Sequence, residues 1–206
     1  HRDLHSFPTR RSSDLGRAAL GGPGDWGAQA ALEDDLIALR EMGISLDLLY
    51  NANCYGGRAV SRSLQEEVVS LLAYLRDRVG GVQTVTTTSP FVALSVRRAC
   101  PDVEVRASAN MRIGTIEAME YVAGLFDGFY VQRDYNRDLG RLREVAAWAG
   151  SAGKRLYLLA NSGCLRLCPG QTFHDNLVAH EAEVDQARNI QDWTPHVCQH
   201  RLADPL

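Results

Sequence analysis

Two thiols separated by three residues, Cys164 and Cys168, stand in the segment NSGCLRLCPGQTFHDN at 161–176, with His174 and Asp175 close behind. Gly163, Pro169 and Gly170 keep bulky side chains away from the backbone around them. Two thiols within reach of one turn are a donor pair for a soft metal or a cluster. The same spacing equally fits a disulfide or a pair of inert thiols. The segment follows a strand-like run, RLYLLA, and loops at the carboxyl ends of buried strands are where α/β folds place their chemistry.

The elements that must position this segment are legible from residue 33 onward. Apolar spacing predicts a helix over 33–43, closed by Gly43, and a strand over 44–52. A helix over 63–81 has an apolar face of Val68, Leu71, Leu72 and Leu75. The run VQTVTTT at 82–88 is rich in β-branched residues, and Pro90 opens a helix over 90–100. Strands at 103–109, 128–134 and 156–160 alternate with helices at 115–126 and 136–153. Five strands, four intervening helices and short turns predict a parallel sheet covered by helices. No Gly-x-Gly-x-x-Gly turn follows any strand, which argues against a dinucleotide-binding sheet. The expected fold class is therefore α/β, a (β/α) TIM-like barrel of which this chain carries most, incomplete at its N-terminus and at its C-terminus.

In such a barrel every strand ends on one face, and each end here carries polar groups: Asn51 and Asn53, Thr88, Asn110, Arg133 and Asp134, Asn161. Asparagine also favours turns for local reasons, so the recurrence at every strand end is the signal rather than any single residue. The same logic sorts the cysteines. Cys54 and Cys164 follow strands and belong to the catalytic face, with Cys168 beside Cys164. Cys100 ends a helix and belongs to the opposite, stabilising face. Cys198 lies in a segment that pattern does not place. Four thiols, Cys54, Cys164, Cys168 and Cys198, could share one site holding zinc or an iron–sulfur cluster, with His174 and His180 as alternative ligands.

Composition narrows the classes. The chain has 206 residues, 45% of them hydrophobic, a net charge of −3 and five cysteines. That charge gives no overall basic footprint for nucleic acid. No run of about eighteen apolar residues predicts a membrane span. An odd number of clustered cysteines suits a reducing cytoplasm and metal binding better than a secreted disulfide framework. Residues 1–15, containing SFPTRRSSDL, read as translated adapter DNA rather than biology, 16–32 are a lead-in without an assignment, and 33–206 form the partial barrel with its Cys-rich C-terminal loop region. His180–Glu181 lacks the second histidine of a zinc-protease helix.

Four segments, YNANCYGG (50–57), VEVRASAN (103–110), DYNRDLGRLREV (134–145) and NSGCLRLCPGQTFHDNLVAH (161–180), resemble the collagenase-like peptidase family U-32. CQHRLADP (198–205) resembles the Cys-bearing stretch that follows in such proteins. The resemblance implies a TIM-like barrel and two kinds of activity. One is an iron–sulfur-dependent, oxygen-independent hydroxylation of an RNA base or a quinone precursor. The other is a peptidase acting on collagen-like chains. It further implies a 4Fe-4S cluster on Cys164, Cys168 and Cys198, with Cys54 as fourth ligand. The resemblance names no catalytic residue; position at strand ends and beside the cysteines makes His174, Asp175, Asn110, Arg133 and Asn161 the candidates. The longer four-cysteine signature of the peptidase-named members, with its Ser-Gly-x-Cys and Gly-x-Cys elements, is absent. The reading ranks an iron–sulfur hydroxylation-type enzyme first, a peptidase that could pair Cys164 with His174 second, and a non-catalytic binding or partner subunit third.

Overall fold

The structure, a computed structural model, describes residues 26–161 and 164–180. The adapter-like start and Cys198 lie outside the described residues. In chain order the elements are α1 (Trp26–Glu41), β1 (Asp47–Tyr50), α2 (Arg62–Val79), β2 (Thr84–Thr87), α3 (Pro90–Ala99), β3 (Glu104–Ala107), α4 (Ile116–Val122), β4 (Gly128–Tyr130), α5 (Leu139–Ser151), β5 (Arg155–Tyr157) and α6 (Gln171–Ala179).

The helix ends have local causes. Ser61 Oγ accepts from Leu64 N and Ser89 Oγ accepts from Val92 N, so each satisfies an amide that the first helical turn leaves open. Pro90 occupies the first turn of α3, where its missing N–H costs nothing. Gly80 closes α2 at φ 75°, a left-handed conformation that favours glycine. Helix α1 begins seven residues before the expected 33, inside the unassigned lead-in. Its first turns, WGAQAA, carry good helix formers but no apolar spacing, so periodicity alone misses them.

All five strands are parallel and pair in chain order, β1-β2-β3-β4-β5. An open doubly wound sheet reverses its order at a switch point. Among the described residues this sheet does not, so right-handed crossovers stack the helices on one face. Among the described residues β1 and β5 each pair on one side only, and the sheet is not closed. No helix among those residues is long and apolar enough to cross a membrane.

Strand alternation divides the sheet into two chemistries. Leu48, Tyr50, Val85, Val105, Ala107 and Phe129 point outward into a dry core with Leu64, Val68, Leu72, Val92, Val96 and Met119. Burying each large aliphatic side chain contributes about 1.5–3 kcal/mol. The other face is polar. Glu104 accepts from Arg106 at 2.7 Å and Tyr157 Oη at 2.6 Å, and pairs with Arg155 at 3.0 Å. Burial pushes the Glu104 pKa up, but the bonds from Arg106 and Tyr157 outweigh it and hold the carboxyl below the usual range. Thr86 Oγ1 donates to Asp47 at 2.8 Å, and the Arg106 guanidinium lies 4.0 Å from the Tyr157 ring centroid.

This packing depends on Gly128. A Cβ there would lie 2.7 Å from Tyr157 Cε2 and 3.2 Å from the Arg155 carbonyl oxygen. The open space lets Tyr157 lie across β4 and meet Tyr130, with ring centroids 5.2 Å apart. Gly128→Ala is therefore expected to destabilise the fold by about 1–3 kcal/mol, as overpacking does, and chemical denaturation measures it. Unchanged stability would show that Tyr157 is not held against β4.

Candidate functional site

The polar strand ends meet at the carboxyl edge of the sheet, as the parallel topology requires. After β1, Tyr55 Oη donates to the Tyr50 carbonyl at 2.8 Å and Thr88 Oγ1 donates to the Ala52 carbonyl at 2.5 Å. These bonds shape the loop that carries Asn51, Asn53 and Cys54. Cys54 is half-buried, and its Sγ accepts from Gly56 N at 3.4 Å. A Cβ on Gly56, at φ 55°, would lie 3.8 Å from His180 Cε1, so the end of α6 reaches this loop.

After β3, Ser108 Oγ accepts from Asn110 N at 3.1 Å and opens the turn Ala109–Met111, which ends on Arg112 in the left-handed region at φ 56°. After β4 comes a second short turn, Arg133–Tyr135. Arg133 donates one terminal nitrogen to Asn110 Oδ1 and the other to Cys164 Sγ at 3.1 Å. Three of the sequence-named residues are thus in direct contact.

The segment after β5 folds back across this edge. Arg112 donates to Thr172 Oγ1 at 2.8 Å, and Asn53 Nδ2 donates to Asp175 Oδ2 at 3.1 Å. Leu167 N donates to Asp134 Oδ1 at 2.5 Å. These ties join the cysteine loop and α6 to the ends of β1, β3 and β4. The Leu167 hydrogen bond holds the buried Asp134 carboxyl below the usual range, although burial opposes it. Asp175 moves the other way. Burial raises its pKa, and the charges of Arg133, His174 and Arg112 with the Asn53 hydrogen bond only partly offset that.

Cys164 is exposed and Cys168 half-buried, both on this edge, and the Cys168 carbonyl accepts from Gln171 N at 3.2 Å to start α6. Cys100 is buried at the end of α3 on the opposite edge, where the sequence expects it. Asn161 is exposed and joins none of the hydrogen bonds described here. Among the described residues, no three His, Cys, Asp or Glu side chains gather closely enough to hold a metal ion. Cys54, Cys164 and Cys168 are thiols, the donor type that iron–sulfur clusters take. Among the described residues, the buried Oδ1 atoms of Asn51 and Asn53 and Nε of Arg133 have no hydrogen-bond partner. A cleft of about 890 Å³ opens beside Cys164, lined also by Arg133, Arg137 and Arg166.

Asp134, Arg112 and Thr172 escaped the sequence reading as site-shaping residues. Asp134 was visible at a strand end, but only its distant partner reveals its use.

No protein-family model matches the chain, and no curated protein matches it. A solved structure, that of the U32 peptidase Mk0906, is similar in fold with a TM-score of 0.61 and 24% sequence identity. The alignment covers 77% of this chain and 64% of that one, so the chain spans less than two thirds of the similar protein. The likeness shows an α/β fold of that kind.

The Asp175 shift gives a signed prediction. Its folded pKa lies above the unfolded value of 3.8, so the folded state holds the proton more tightly. That contribution to stability is present below 3.8 and is lost as pH rises through the folded value. Asp175→Asn keeps an oxygen for Asn53 and carries no charge. It is expected to be more stable than the wild type near neutral pH and equal to it in acid, in urea titrations across that range. A constant difference at all pH values would refute the burial of this carboxyl.

Proposed function

We propose that this chain is the greater part of a U-32 barrel enzyme of the iron–sulfur-dependent, oxygen-independent hydroxylation type, working in a reducing cytoplasm. The observation that carries the reading is the sorting of thiols. Cys54, Cys164 and Cys168 lie on the edge of polar strand ends, and Cys100 lies on the other. Barrel chemistry belongs to that first edge. Cys164, Cys168 and Cys198, with Cys54 as fourth, would hold a 4Fe-4S cluster, which supplies one-electron chemistry when bound. The chain's own residues do the rest. Arg133 orients Cys164, and Asn110 orients Arg133. The substrate classes that follow from the resemblance are an RNA base, a quinone precursor or a peptide. Closure of the sheet into a full barrel belongs to the same proposal, with strands beyond those described here.

A thiol peptidase using Cys164 with His174 is the second reading, favoured by the name of the structurally similar protein. Iron decides between them. Anaerobically reconstituted protein is expected to bind iron and show broad visible absorption. Cys164→Ser or Cys168→Ser should abolish both, while Cys100→Ser retains them. An iron-free, colourless wild type would overturn the proposal and leave the peptidase reading ahead.

A further inference from the structure

The sharpest unexplained feature of the mouth is the backbone between the two thiols. Leu167 has φ 52°, in the left-handed region that leucine rarely adopts. The residue is 65% exposed, so burial does not hold it in that state. What holds it is its amide, which donates to Asp134 Oδ1 at 2.5 Å. Asp134 is only 7% exposed, and its second oxygen accepts from Gln132 Nε2 at 2.6 Å. Gln132 in turn lies in a space left by Gly114, where a Cβ would come within 2.6 Å of Gln132 Oε1. One residue earlier, Arg133 grips the other end of the loop at Cys164 Sγ, 3.1 Å away.

We propose that Asp134 is the positioning residue of the thiol loop: from the end of β4 it fixes the backbone at Leu167, and with Arg133 it sets where Cys164 and Cys168 stand relative to each other. The assignment rests on the reading that these two thiols are the working groups of the mouth. A charged acceptor for a backbone amide is a strong, directional tie.

The test is site-resolved alkylation of the iron-free full chain by iodoacetamide, with buried Cys100 reporting global unfolding. Asp134→Ala is expected to speed alkylation of Cys168 about tenfold relative to Cys100, the size expected for losing one hydrogen bond to a charged group. Leu167→Pro removes the same tie from the other side, because proline has no amide hydrogen and cannot adopt positive φ. It should give a similar acceleration, and the double variant should be no faster than either single one. Leu167→Gly keeps the amide and suits the left-handed backbone, so its rates should stay at or below those of the wild type. Should Asp134→Ala fail to fold, Leu167→Pro on the exposed loop carries the same prediction. Unchanged Cys168 reactivity in Asp134→Ala and Leu167→Pro, or additive effects in the double variant, would overturn the assignment. The outcome is independent of iron: a wild type that takes up no iron refutes the cluster reading, while the alkylation rates still report on Asp134.

Discussion

Parallel pairing in strict chain order is the constraint from which the rest follows. Once β1 to β5 run the same way and each pairs with the next, every crossover must pass over the same face of the sheet. The helices therefore collect on one side and bury the outward strand residues. The polar strand ends collect on one edge, and the inward face is left to Asp47, Thr86, Glu104, Arg106 and Tyr157. The candidate site needs no special device to assemble. It is the place where four crossovers of the same hand leave the ends of five strands.

A different kind of interaction finishes the site. The cysteine loop and α6 bury little apolar surface, with Leu167 and Phe173 largely exposed. They are fastened instead by directional polar bonds from Asn53, Arg112, Arg133 and Asp134. Such bonds define geometry more sharply than they add stability. The scaffold is thus held by dispersion and burial, and the thiols by hydrogen bonds anchored in that scaffold.

This division explains what was legible in the sequence. The scaffold is periodic, and periodicity is local: the alternation of VEVRA, the β-branched VQTVTTT and the glycine after α2 each announce their element within a few residues. The edge on which Cys54, Cys164 and Cys100 fall follows from the same alternation. The ties of the mouth are not local. Asp134 meets Leu167 across 33 positions, Arg112 meets Thr172 across 60 and Asn53 meets Asp175 across 122. No spacing rule links such pairs, because each is created by the fold and not by its neighbours in the chain. The early turns of α1 were missed for a third reason, since alanine-rich helix carries propensity without a stripe.

The charged inward face has a consequence for how such a sequence drifts over time. Glu104 serves Arg106, Arg155 and Tyr157 together, and Arg106 also stands 3.7 Å from Asp47. Arg155 is exposed, but removing Glu104 or Arg106 strands its partner in a half-dry interior, whereas exchanging the inner set for well-packed apolar residues can be neutral. Positions 47, 104, 106 and 157 are therefore expected to change in concert or not at all. Across diverged relatives they would form a covarying block, distinct from the helix-facing positions, which can exchange one aliphatic residue at a time.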